Sequence, residues 1–132
     1  MMEYKFRGWD AIGDKGWVYG DLVHDKKVTV TGLEDRVKVG GYEVVPESVG
    51  LCTGMNDKND NEIYEGDIVR IYDCDSDEHS DEVVEFAHGV FGVENWTHKY
   101  LTSLSFFING GSEYSIEVIG NVYQNKELLD NE

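Results

Sequence analysis

Two stretches of the chain place carboxylates or amides at alternate positions: Asp57, Asn59 and Asn61, then Asp73, Asp75 and Asp77. This is the spacing with which an EF-hand loop opens around calcium. Such a loop also needs a glycine at its sixth position, for the sharp turn, and a bidentate glutamate at its twelfth. Glu62 and Glu78 occupy the sixth positions, and Ile68 and Val84 the twelfth. Neither series is therefore a specific calcium site. Asp57-Lys58-Asn59-Asp60-Asn61 reads instead as a hairpin turn, built from residues that tolerate left-handed backbone. The second series lies in residues 73–82, which hold six carboxylates and no lysine or arginine. With so little apolar surface to bury, this segment is expected to be a solvated loop, attracting hard cations only weakly.

Other chemistries lack their constellations. His24, His79, His88 and His98 are scattered over turns and loops, with no H-x-x-x-H or C-x-x-C pattern. Only Cys74 and His79 share a segment, and two ligands do not make a transition-metal site. Cys52 and Cys74 have the spacing of neither a metal knuckle nor a redox pair, so both are expected to be free thiols. Cys52 falls in an expected strand, buried and inert, with no local motif that would make it a thiolate nucleophile. Asp10, Asp21, Glu65 and Asp67 are the candidates for paired acid–base work, which needs one raised and one ordinary pKa. Asp21 and Asp67 each follow a glycine, and the simpler role for such aspartates is to accept backbone N–H groups in tight turns. No phosphate-cradling glycine motif is present. The reading is non-enzymatic, without catalytic residue, metal or cofactor.

Aromatic residues remain. Trp9, Trp17, Tyr19, Tyr42, Phe91 and Trp96 are expected mostly in the core, with a subset able to stack against a ligand or peptide. Trp9, Trp17, Tyr19 and Trp96 are the candidate partner contacts.

The elements that must position these residues are short and turn-rich. Residues 4–10 and 17–23 alternate as two strands of a hairpin around residues 12–16, where Asp14 is expected to cap the turn. Residues 24–27 read as a polar turn, 28–31 as a third strand and 32–41 as a loop. Residues 42–46 are extended into Pro46, since a residue before proline avoids the helical region. Strands follow at 49–53, 62–64, 68–72, 83–88, 90–94 and 115–123. Residues 101–108 fit both a strand and a helical face. Gln124 and Asn125 are placed to cap a short helical turn at 126–129, and the tail 130–132 is expected to fray. The fold expected from this pattern is mainly β: a small SH3-like barrel over 46–132, with a three-strand N-terminal extension over 1–45 containing the hairpin, packed as one compact unit.

With 27 acidic against 11 basic residues the formal charge is −16. Such a field repels phosphate backbones, so direct nucleic-acid binding is not expected, whereas a basic partner is permitted. No apolar stretch has the ~20 residues of a membrane span, and the N-terminus lacks a signal-peptide apolar run. No membrane association and a cytoplasmic location are expected.

Five motifs together carry a family resemblance. They are Lys5-Phe6-Arg7-Gly8-Trp9-Asp10; Val18-Tyr19-Gly20-Asp21-Leu22; Val49-Gly50-Leu51-Cys52-Thr53-Gly54 followed by Asp57-Lys58-Asn59; Ile63-Tyr64-Glu65-Gly66-Asp67-Ile68-Val69; and Val118-Ile119-Gly120-Asn121-Val122-Tyr123-Gln124-Asn125 with Leu128. In these the chain resembles the YopX family of phage and prophage proteins, nearly end to end. The resemblance implies a mainly β protein of a bacterial host and transfers no catalytic residue. Asp60 stands where the family more often has glycine, which implies a looser turn. The function expected is protein interaction with a partner, or self-assembly as a homo-oligomer. The rival readings are an acidic decoy that mimics DNA to occupy a nucleic-acid-binding protein, and a small hydrolase or nucleotide-processing enzyme.

Overall fold

The computed structural model describes residues 4–87, 89–94, 101–109 and 113–129. It divides into two compact units, Met1–Cys52 and Thr53–Glu132, called the N-terminal and C-terminal units below.

In the N-terminal unit, β1 (Phe6–Trp9) pairs antiparallel with β2 (Trp17–Gly20). The other edge of β1 takes the start of β6 (Gly50–Asn56), with Phe6 opposite Leu51. A second sheet has the order β3 (Leu22–Thr29), β4 (Gly32–Val39), β5 (Tyr42–Glu43). Val18, Val39 and Val44 form the buried centre between these elements, with Phe6, Leu22, Val37 and Val49 packed against them. The sheets come close enough to constrain side-chain size. A Cβ on Gly40, which has φ 60°, would lie 2.4 Å from the Tyr19 carbonyl oxygen. Glycine is required there by both space and backbone.

The β3–β4 pair corrects the expected turn at 24–27 and loop at 32–41. Both strands run eight residues in register. Their middle pairs charged residues across the two strands rather than apolar ones. Arg36 donates through Nε and Nη2 to the two carboxylate oxygens of Asp25 (2.7 and 2.8 Å), and Lys26 pairs with Asp35 (2.8 Å). Apolar periodicity cannot reveal a ribbon built this way.

In the C-terminal unit, β6 continues from the division and pairs with β7 (Glu62–Tyr64) across the turn at 57–61. β8 (Asp67–Asp73) is central between β9 (Glu78–Val83) and β13 (Tyr114–Asn121). β10 (Glu85–Ala87), β11 (Val90–Glu94) and β12 (Leu101–Ser103) form another small sheet. Residues 101–108 take both of their expected forms in sequence, because β12 leads directly into α1 (Leu104–Asn109). Leu104 and Phe107, three residues apart on one helical face, are buried with Ile63, Val69, Ile71, Val84, Val93 and Ile116.

The expected SH3-like barrel is not formed: among the described residues several small sheets occur, and none closes. The chain corners at Val84. Its N–H donates to the Asp67 carbonyl (2.8 Å) and its carbonyl accepts from Gly66 N–H (2.9 Å), which ends the β9 ladder. β10 then pairs with β11 instead of extending the first sheet. α1 contributes Leu104 and Phe107 to the buried cluster.

Residues 73–82 are likewise not a solvated loop. They are the end of β8, a tight turn and most of β9, with Ser80 and Asp81 buried. Arg70 grips both carboxylate oxygens of Asp81 (2.8 and 3.1 Å), and the Tyr72 hydroxyl donates to Asp77. Cross-strand pairing and these side-chain bonds replace the apolar burial that the segment lacks.

Asp57 fastens the C-terminal unit. Its Oδ1 accepts from Asn59 N–H (2.9 Å) and Asn61 N–H (2.8 Å), closing the turn. Its Oδ2 accepts from Val118 N–H (2.9 Å), 61 residues away on β13. Asp60 follows at φ 67° and accepts from Asn56 Nδ2 (2.7 Å). This left-handed backbone is the conformation that glycine adopts most readily. Burial raises the Asp57 pKa, but the hydrogen bonds from Val118, Asn61 and Asn59 outweigh it and hold the carboxyl below its ordinary 3.8. A depressed folded-state pKa gives stabilisation that is complete above 3.8 and is lost as pH falls through the folded value. Asp57→Ala strands three backbone donors and is expected to cost about 2–4 kcal/mol, read by urea unfolding. The same measurement in wild type should show stability falling below about pH 4, and this acid dependence should be reduced in the variant.

Candidate functional site

The N-terminal unit holds three of the four candidate partner contacts, Trp9, Trp17 and Tyr19. In the β1–β2 hairpin Trp9 stands opposite Trp17 and Arg7 opposite Tyr19, so all four share one face. The indoles meet edge to face, centroids 5.3 Å apart at 89°. The Arg7 guanidinium lies 4.4 Å from a Trp17 ring centroid, a cation–π contact in which Arg7 itself is buried. Trp9 and Trp17 are half-buried, whereas Tyr19 is exposed. Trp9 N–H donates to the Ser48 hydroxyl (2.7 Å), which donates in turn to the Val45 carbonyl (2.6 Å). The 3-10 turn Pro46–Ser48 thereby ties into the hairpin. Trp96, the remaining aromatic candidate, lies outside the described residues, as do His88, His98, the segment 110–112 and the tail 130–132.

Beside the hairpin, the turn at 10–16 and the β4–β5 strands enclose a cleft of about 390 Å³ lined by Asp10, Ile12, Gly13, Lys15, Arg36, Lys38, Gly41, Tyr42 and Glu43. Asp10, not Asp14, caps the turn. Its Oδ1 accepts from Ile12 N–H (3.2 Å) and Gly13 N–H (3.1 Å), and its Oδ2 from Lys15 N–H (3.4 Å). The Gly13 bond leads in holding the Asp10 carboxyl below its ordinary value, with the Ile12 and Lys15 bonds and the Lys15 charge reinforcing it against burial. Glu43 is occupied by the Lys27 ammonium (2.9 and 3.2 Å). Lys15 lies over the Tyr42 ring, 5.1 Å from its centroid. The cleft therefore holds cations, an aromatic face and two carboxylates already engaged. It holds no carboxylate free to act as a general base.

The other candidate carboxylates are kept apart. Asp67 is buried and its Oδ2 accepts from Tyr64 N–H (2.7 Å), the turn role expected of it. Asp21 is exposed and Glu65 half-buried. Cys52 is half-buried in β6 and Cys74 exposed in the β8–β9 turn. His24 and His79 lie exposed on strands β3 and β9 rather than on turns. Among the described residues no three His, Cys, Asp or Glu side chains converge on a metal-sized site.

Arg36 and Lys38 were missed as cleft residues because 32–41 read as a loop. One signal was present: Asp25/Arg36, Lys26/Asp35 and Lys27/Glu34 are three consecutive pairs of opposite charge, mirrored about the Val30–Thr31 turn. Opposite charges in cross-strand register stabilise a ribbon.

The Asp10 geometry sets a pH response. As pH falls through the lowered carboxyl pKa, the turn loses its acceptor, and amide exchange at Ile12, Gly13 and Lys15 is expected to speed up. Above 3.8 those amides should be protected. Proton NMR exchange across pH 2–6 reads this directly, and in Asp10→Ala the three amides should exchange fast throughout.

Comparison with known proteins follows the whole chain rather than the cleft. The sequence matches the family described as YopX protein over residues 5–130. The crystal structure of protein yopX from Bacillus subtilis is similar at TM-score 0.54 and 25% identity, covering 94% of this chain and 96% of that one. The structure of protein EF1440 from Enterococcus faecalis is similar at TM-score 0.59 and 25% identity, covering 98% and 99%. No curated protein matches the chain significantly.

Proposed function

The chain belongs to the YopX family, and we propose that it acts without catalysis, as a protein-contact or self-assembly module working through its N-terminal unit. One observation carries this reading. The β3–β4 ribbon ends in Val28, Val30 and Leu33, which are 85%, 105% and 66% exposed. The inner end of the ribbon contributes Leu22, Val37 and Val39 to the core, and the outer end contributes nothing to it. A two-stranded ribbon is marginal in water by itself, and its surface ion pairs each add little. Three apolar side chains held at such a tip suit contact with another protein surface.

The state of the carboxylates supports the non-enzymatic part. Asp10 and Glu43 are both committed to partners within the unit, and a hydrolase would need one poised to take a proton. The decoy reading draws on the uneven charge: residues 53–132 hold 18 acidic against 4 basic residues, and residues 1–52 hold 9 against 7. Contact through the ribbon should be weakly salt-dependent, whereas occupation of a basic protein by the acidic unit should weaken steeply with salt. On the contact reading the chain is a prophage-borne protein working in the bacterial cytoplasm. No helix among the described residues is long and apolar enough to cross a membrane.

The test is the triple variant Val28→Ser, Val30→Ser and Leu33→Ser. Self-association by light scattering, or capture of a host protein by the full chain, is expected to fall at least tenfold. The melting temperature should move only a few degrees, since exposed substitutions change stability by about 0.5 kcal/mol or less each. A wild-type chain that is monomeric and captures nothing from host lysate overturns the reading.

A further inference from the structure

We propose that the cleft beside the 10–16 turn binds a peptide segment presenting one carboxylate next to an apolar side chain. This rests on the contact reading above and names the chemistry that the N-terminal unit receives. The cleft is within the range of small-ligand sites, about 300–1,000 Å³, at about 390 Å³.

Its charge is the first argument. Lys15, Arg36 and Lys38 line the cleft with Asp10 and Glu43. Both acids are used: Asp10 by three backbone N–H groups, and Glu43 by Lys27. Arg36 is committed to Asp25 through Nε and Nη2. Among the described residues, the ammonium groups of Lys15 and Lys38 are hydrogen-bonded to no carboxylate. The Lys15 ammonium has only the Tyr42 ring face and the nearby charge of Asp10. Lys38 is half-buried on β4, opposite Glu43 on β5, whose carboxylate is taken by Lys27, and its charge also acts on Asp25. A half-buried ammonium without a bonded acceptor favours an incoming carboxylate.

Shape and field decide the class of anion. Ile12 and Tyr42 are exposed at the cleft, so the ligand gains by bringing apolar surface as well as charge. A polyphosphate or nucleic acid would set many charges against a chain of net −16, and long-range repulsion would oppose it. A single carboxylate on an otherwise neutral segment meets that field once and gains the local contact with two ammonium groups. Peptide side chains supply such a group, with an apolar neighbour to cover Ile12 or Tyr42.

The experiment uses the full 15N-labelled chain and three probes: acetyl-Leu-Glu-Leu-amide, its Gln counterpart and inorganic phosphate. The Glu peptide is expected to give saturable shifts at the Gly13, Lys38 and Tyr42 amides. Binding should be at least tenfold weaker for the Gln peptide, and should weaken as salt rises. Lys38→Met should reduce Glu-peptide affinity at least tenfold. Lys15→Met, in an exposed turn where folding is not at stake, should reduce it several-fold. Equal affinity for the Glu and Gln peptides, or no saturable shift at the cleft, overturns the proposal. Phosphate binding as tightly as the Glu peptide overturns the peptide assignment. The ribbon variant and this titration read different residues, so failure of one is distinguishable from failure of the other.

Discussion

The carboxylate of Asp57 holds together parts of the chain that are far apart in sequence. It closes its own turn through two amides and reaches a third on β13. The Lys58 N–H donates to the Ile116 carbonyl (3.0 Å) alongside it. The register of β13 beside β8, and hence the burial of Ile116 against Ile71 and Val69, is set next to this fastening. A side chain without acceptor oxygens there would leave three backbone donors without their partner, which is why a carboxylate at only 7% exposure is stabilising despite its desolvation.

The same device recurs at Asp10 and Asp67. Each spends its carboxylate on backbone N–H groups in a reversal. This is the physical link between architecture and function in this chain. Two of the four acidic residues that suggest catalysis in the sequence, Asp10 and Asp67, are used in building turns. What remains available is the opposite charge, at Lys15 and Lys38, and the apolar side chains of an exposed ribbon.

That ribbon shows where sequence reading stops. Apolar and β-branched runs bounded by turn residues located β1, β2, β7, β8, β11 and β13. They missed residues 24–27 of β3 and all of β4 because their facing residues are largely charged, and a charge counts as a strand signal only once its cross-strand partner is known. The acidic segment 73–82 was misread for the same reason. Asp81 looks solvated until Arg70 is placed beside it, 2.8 Å away on the neighbouring strand. Barrel closure failed as an expectation for a different reason: strand count and turn density do not say which edges meet, and the corner at Val84 depends on hydrogen bonds to a distant reversal.

By itself, the sequence determined the mainly β class, most of the turns, the family, and the absence of any recognisable catalytic or calcium motif. These follow from local chemistry: glycine and aspartate in tight reversals, and β-branched and aromatic alternation. Only the tertiary structure decided which carboxylates are engaged, that Trp9 and Trp17 pack on each other with Arg7 while Tyr19 faces solvent, and that Lys15, Lys38 and Tyr42 line one cleft. Those outcomes depend on pairing between strands and on the meeting of residues from separate turns. Spacing along one chain does not encode such proximity.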